Sequence, residues 1–140
     1  MNNTENNNNN NNIEDLKIQT ININGLQSSF ELLCEHLLQS KPSIVMIQET
    51  KMTNITTAIS NKLQKIGYLI FHKTAAESDQ KIKTPKHGTG IIISDQIKYE
   101  HFETDIGEYQ AELRGRFCGL YLREFGVVVI SGYLPAAGSF

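Results

Sequence analysis

The sequence predicts an α/β fold with a central mixed sheet flanked by helices. Three observations carry that expectation. Strand-like and helix-like segments alternate from residue 16 to residue 72 in the order strand, helix, strand, helix, strand. The second strand-like segment, Ile44-Val45-Met46-Ile47, is an unbroken apolar run, as expected of an interior strand buried on both faces. After residue 87 the pattern changes to short successive strands with a turn signal between the last two, which predicts antiparallel pairing.

Residues 1–12 read MNNTENNNNNNN and contain no apolar residue beyond Met1, so this tract cannot offset the entropy of ordering and is expected to be a disordered tail. Residues 13–140 form the folded part. Leu16 to Ile23 is the first strand, and Asn24-Gly25 marks a turn. Ser28 followed by Glu31 matches a capping box, and Phe30, Leu33 and Leu37 repeat at helical spacing. Lys41 before Pro42 ends that helix, because proline disfavours helical backbone in the residue that precedes it. After the Ile44 to Ile47 strand, Asn54 is placed to cap a second helix with Ile55, Ile59, Leu63 and Ile66 on its apolar side and Gly67 at its end. Tyr68 to His72 is a short strand. Lys73 to His87 is polar, carries Lys81, Lys83 and Lys86, and reads as a long loop whose basic residues either track a phosphate backbone or are simply solvated. Further strands are expected at Ile91 to Ile93, Ile97 to Phe102, Ala111 to Leu113, Phe117 to Leu122 and Val127 to Tyr133, with Glu124-Phe125-Gly126 as a hairpin turn.

The formal net charge of −2 points to no particular partner. Cys34 and Cys118 are far apart and fit neither a disulfide framework nor a CxxC metal site, so both are expected as reduced core thiols of an intracellular protein. There is no basic segment followed by an apolar one at the N-terminus and no apolar run of about 18 residues, so neither a secretory signal nor a membrane span is expected.

The chemistry concentrates where two strands end. A strand–helix–strand order makes the first two strands parallel neighbours, and ligand sites in such sheets form beyond the carboxyl ends of the strands. Asn22, Asn24 and Glu49 stand there. Glu49 suits a hard cation such as Mg2+, which takes one or two carboxylates and keeps the rest of its shell for water and phosphate; the alternative reading is a solvated strand-end carboxylate or a helix-capping partner. Asn22 and Asn24 share one face because strand side chains alternate, and an amide can orient a phosphate or a metal-bound water; the other reading of Asn24-Gly25 is a favoured turn pair. His36, His72, His87 and His101 show no ligand spacing and read as surface or partly packed side chains.

Taken in order, four segments resemble the signatures of the endonuclease/exonuclease/phosphatase superfamily. Thr20-Ile21-Asn22-Ile23-Asn24-Gly25-Leu26 is similar to its opening motif, and Ile47-Gln48-Glu49-Thr50-Lys51 to its second. Gly88-Thr89-Gly90-Ile91-Ile92-Ile93-Ser94 resembles the glycine-led central strand, and Ser131-Gly132-Tyr133-Leu134-Pro135-Ala136 the Tyr-x-Pro-Asn segment, with Ala136 where the family usually has Asn. The closest likeness is to the apurinic-endonuclease branch, which includes non-LTR retrotransposon endonucleases. The resemblance implies a DNase I-like four-layer α/β sandwich, of which this chain is the N-terminal half. It implies Mg2+ as cofactor with Glu49 as ligand, Asn22 and Asn24 supporting metal and phosphate, and Tyr133 contacting the phosphate. The implied substrate is nucleic acid or another phosphodiester. The family's Asp-x-Asn and Ser-Asp-His segments have no counterpart in residues 1–140, so the expected function is an endonuclease-like, Mg2+-dependent phosphodiesterase domain that is catalytically incomplete as written. The alternative is a non-enzymatic nucleic-acid- or phosphate-binding remnant. A half domain is further expected to expose an apolar face of its first sheet and to self-associate or bind a complementing chain there.

Overall fold

The computed structural model describes residues 15–74, 88–104 and 116–134. Its elements are β1 (Ile18–Asn22), α1 (Leu26–Ser40), β2 (Ile44–Gln48), α2 (Thr57–Lys65), β3 (Tyr68–Lys73), β4 (Thr89–Ser94), β5 (Glu100–Phe102), β6 (Phe117–Leu122) and β7 (Val127–Gly132). The expected strand Ala111 to Leu113, the basic loop residues Lys81, Lys83, Lys86 and His87, and the segment from Pro135 onward lie outside the described residues, as does the Asn-rich tail.

The first sheet has four strands in the order β1-β2-β4-β3. β1 and β2 are parallel, while β4 is antiparallel to both of its neighbours. The strand Ile91 to Ile93 inserts between β2 and β3, in the interior of the sheet, as the likeness of Gly88 to Ser94 to a central strand implied. The fully apolar run Ile91-Ile92-Ile93 suits that central place, because both of its faces are covered.

The alternation of side chains divides the core into two layers. Val45 and Ile47 of β2 and Ile92 of β4 face the helices, where they meet Leu26, Phe30, Leu33 and Leu37 of α1 and Ile59 and Leu63 of α2. Ile44 of β2 and Ile91 and Ile93 of β4 point the other way. They pack against Cys118, Leu120, Leu122 and Val129 from a second, three-stranded antiparallel sheet in the order β5-β6-β7. Both cysteines are free and buried. The 3-10 turn Arg123–Phe125 closes the β6–β7 hairpin, with Gly126 in the left-handed region.

Three expectations require correction. No side chain caps α1, and the Ser28/Glu31 capping box does not form. The helix begins two residues earlier because backbone carbonyls from the segment after β2 already engage its entry: the Gly25 N–H donates to Glu49 O at 2.8 Å and the Leu26 N–H to Thr50 O at 2.9 Å. α2 is capped by Thr56, whose hydroxyl accepts from the Ile59 N–H at 3.3 Å, and not by Asn54. Finally, the first sheet does not expose an apolar face, since β5, β6 and β7 cover it. Exposed apolar side chains lie on the outside of the second sheet, where Phe102, Val128 and Ile130 are each at least 40% exposed around Gly119 and Tyr121, and also at Ile18 of β1, Leu32 and Leu38 of α1 and Leu134.

The two faces of the second sheet should therefore respond differently to truncation. Leu120→Ala, at a fully buried site, is expected to cost about 2–5 kcal/mol. Ile130→Ala, on the open face, is expected to cost well under that. Urea unfolding monitored by circular dichroism gives both values, and equal losses would contradict the two-layer core.

Candidate active site

The parallel pairing of β1 and β2 runs from Ile18 opposite Ile44 to Asn22 opposite Gln48, so the two strands finish level. The pairing then continues beyond the strands. The Ile23 N–H donates to Gln48 O at 3.0 Å, followed by the Gly25–Glu49 and Leu26–Thr50 bonds described above. The two post-strand segments are laced together along one end of the sheet.

The backbone there is unusual. Asn24, Glu49 and Lys51 adopt left-handed conformations with φ of 45°, 53° and 53°, and Gly25 lies at 105°. A non-glycine residue in this region costs roughly 1–3 kcal/mol, and such strain clusters at ligand and catalytic sites. Asn22 ends β1, and its Oδ1 accepts from the Asn24 N–H at 3.2 Å. Asn24 does not share a strand face with Asn22, because β1 stops at Asn22 and the turn redirects the chain. The Asn24 Oδ1 accepts instead from the Lys51 ammonium.

Glu49 follows β2 directly and is half-buried. The Tyr133 hydroxyl donates to its carboxylate, and that bond, together with the negative charge of Glu49, pushes the phenol above its ordinary pKa. Tyr133 follows β7 and is anchored by its N–H, which donates to Arg116 O at 2.9 Å. The Arg116 guanidinium lies 5.8 Å from the centre of the Tyr133 ring. A strand end from the second sheet is thereby brought to the strand end of the first. A buried link supports the junction: the Ser131 hydroxyl donates to Ile47 O at 2.9 Å and accepts from Gln48 Nε2 at 3.1 Å.

Behind Glu49, Thr50 is fully buried and its hydroxyl pairs with His72 Nε2 at 2.6 Å. Burial pushes the His72 imidazole down from 6.5 to about 4. Gly88, at φ 96°, leaves room for this pair, since a Cβ there would lie 2.1 Å from Thr50 Oγ1. The sequence reading missed Thr50, Lys51, Arg116 and Ser131 and treated His72 as one of four equivalent histidines. The usable signal was the coincidence of His72 at one strand end with Gly88 before the next. His36 bonds Gln19 Oε1 at 2.6 Å on the helix side.

No protein-family model and no curated protein matches this sequence. Solved structures match it in shape. An AP endonuclease from Archaeoglobus fulgidus superposes with a TM-score of 0.62 at 24% identity, over 86% of this chain and 41% of that one. The 3′-5′ exonuclease NExo from Neisseria meningitidis gives 0.60 at 23% identity, over 84% and 41%. TDP2 from Caenorhabditis elegans gives 0.55 at 20% identity, over 89% and 39%. The chain shares the DNase I-like α/β fold of these structures. This chain spans about two fifths of the length of the solved structures it matches. No helix among its described residues is long and apolar enough to cross a membrane.

The depressed His72 pKa sets a direction for stability against pH. The unfolded chain takes up this proton near 6.5 and the folded chain only near 4. The unfolded state therefore binds more protons between these values, and stability falls as pH drops through that window. His72→Gln offers Thr50 a hydrogen-bonding side chain without titrating. Urea midpoints at about pH 7 and about pH 5 should converge more closely for this variant than for the native chain; an equal fall in both would contradict a buried neutral His72.

Proposed function

We propose that residues 13–140 are the metal-carrying part of a divalent-cation-dependent phosphodiester hydrolase of the endonuclease type. The single observation that carries this reading is the placement of Glu49. Its carboxylate stands at the end of a buried parallel strand, on a left-handed loop, within hydrogen-bonding reach of a tyrosine from the second sheet. The DNase I-like fold, shared with an AP endonuclease and a 3′-5′ exonuclease, agrees with it.

The donor chemistry fits Mg2+. Glu49 offers a carboxylate and Asn22 and Asn24 offer amide oxygens, all hard ligands. Mg2+ takes one or two carboxylates and completes its shell with water and phosphate oxygens. When bound, the ion would neutralise charge developing on the phosphoryl oxygens. Tyr133 holds the Glu49 carboxylate in place through its hydroxyl and can redirect that proton toward a phosphate oxygen. Lys51 orients the Asn24 amide, and Arg116 adds positive charge beside Tyr133. The proposed substrate is a nucleic-acid phosphodiester.

We assign to this chain a partial site. Preparing a water for in-line attack calls for a general base, and the described residues place no imidazole–carboxylate pair at Glu49. His72 is engaged with Thr50. We propose that these groups come from outside the described residues, in this chain or in a complementing one.

Two outcomes test this. Calorimetry should detect Mn2+ binding by the purified chain that Glu49→Ala abolishes. The same protein should show no robust Mg2+-dependent turnover of abasic DNA, because acid–base groups contribute about 10²–10⁴-fold. Mn2+ binding indifferent to Glu49→Ala would overturn the metal assignment. Multiple turnover abolished by Glu49→Ala would overturn the partial-site assignment.

A further inference from the structure

Thr50 is tied on all three of its polar groups to three different parts of the fold. Its carbonyl accepts from the Leu26 N–H at the start of α1, at 2.9 Å, and its N–H donates to Gly88 O ahead of β4, at 3.1 Å. Its hydroxyl meets His72 Nε2 from β3 at 2.6 Å. The residue is fully buried and sits between two left-handed non-glycine residues, Glu49 and Lys51. A short side chain held on three sides resists the relaxation that these neighbours would otherwise undergo. Gly88 shows how tightly the arrangement is closed, since a Cβ there would meet both Thr50 Oγ1, at 2.1 Å, and His72 Nε2, at 3.1 Å.

We propose that His72 is a positioning residue for Glu49: it fixes the Thr50 hydroxyl, and Thr50 fixes the left-handed backbone from which Glu49 presents its carboxylate to Tyr133 and a cation. The cation part rests on the assignment of Glu49 as metal ligand. Nothing in the arrangement requires His72 to touch substrate or metal, and its distance from the reacting groups is bridged by Thr50. Metal sites depend on such supporting partners, whose loss typically weakens binding about 10–100-fold.

The test uses the full chain with 13C-labelled glutamate side chains. Thr50→Val and His72→Ala remove the hydrogen bond; Thr50→Ser and His72→Gln retain one. The first readout is the Glu49 carboxyl resonance, assigned by its loss in Glu49→Gln, which reports the Tyr133 contact without metal. The second is Mn2+ affinity by calorimetry. The disrupting variants should move the resonance and weaken Mn2+ binding about tenfold, and the conservative ones should return both to within about twofold of the native chain. If Thr50→Val fails to fold, the comparison of His72→Ala with His72→Gln decides, since His72 is only partly buried. An unmoved Glu49 resonance in folded His72→Ala overturns the proposal, as does a loss that neither conservative variant restores. A native chain that binds no Mn2+, with the resonance still moving in His72→Ala, upholds the positioning role and overturns the metal assignment alone.

Discussion

The lacing of β1 to β2 beyond their last paired residues is the constraint on which the rest of this end of the molecule depends. Parallel pairing brings Asn22 level with Gln48, and the next bonds tie Gly25 and Leu26 to the carbonyls of Glu49 and Thr50. One set of contacts therefore does three things. It turns the chain at Asn24-Gly25, it satisfies the entry of α1 without a capping side chain, and it holds Glu49 and Lys51 in backbone conformations they would not adopt alone.

The second sheet extends that constraint across the sandwich. Strands β6 and β7 pack Leu120, Leu122 and Val129 onto Ile44, Ile91 and Ile93, which fixes the height at which β7 ends. Ser131 then locks the register between layers by bonding Ile47 O and Gln48 Nε2, two positions before the tyrosine that meets Glu49. A buried hydroxyl in an apolar interface is stable only because both bonds are made. The carboxylate and phenol thus belong to different sheets, and the packing of those sheets is what brings them together.

Much of this was legible in the sequence. The unbroken run Ile44 to Ile47 named the interior strand, Lys41-Pro42 and Gly67 marked helix ends, and the strand–helix–strand order gave the parallel pair with Glu49 at its end. The Ser28/Glu31 and Asn54 caps were misread because a cap motif states only that a side chain is able to bond; at α1 the neighbouring loop had already taken the orphan donors, and at α2 Thr56 stood closer to the first turn. The likeness of Gly88 to Ser94 to a central strand placed Ile91 to Ile93 inside the sheet, but its neighbours β2 and β3 were not legible, since periodicity gives burial and not the order of strands. Likewise no local pattern joins Thr50 to His72 or Ser131 to Ile47, which are separated by long stretches of chain and meet only through the sheet register. The expected apolar face of the first sheet was wrong, because the strands after residue 87 close over it, and strand periodicity does not say which layer a strand joins.

The central claim is that the strand ends converge to make Glu49 a cation ligand. Anomalous diffraction from crystals of the chain soaked in Mn2+ tests it most directly. A peak is expected at the Glu49 carboxylate, on the side where β1 ends at Asn22 and Tyr133 follows β7, with water filling the remaining positions. A peak elsewhere on the chain, with the Glu49 carboxylate still closed on Tyr133, would contradict it.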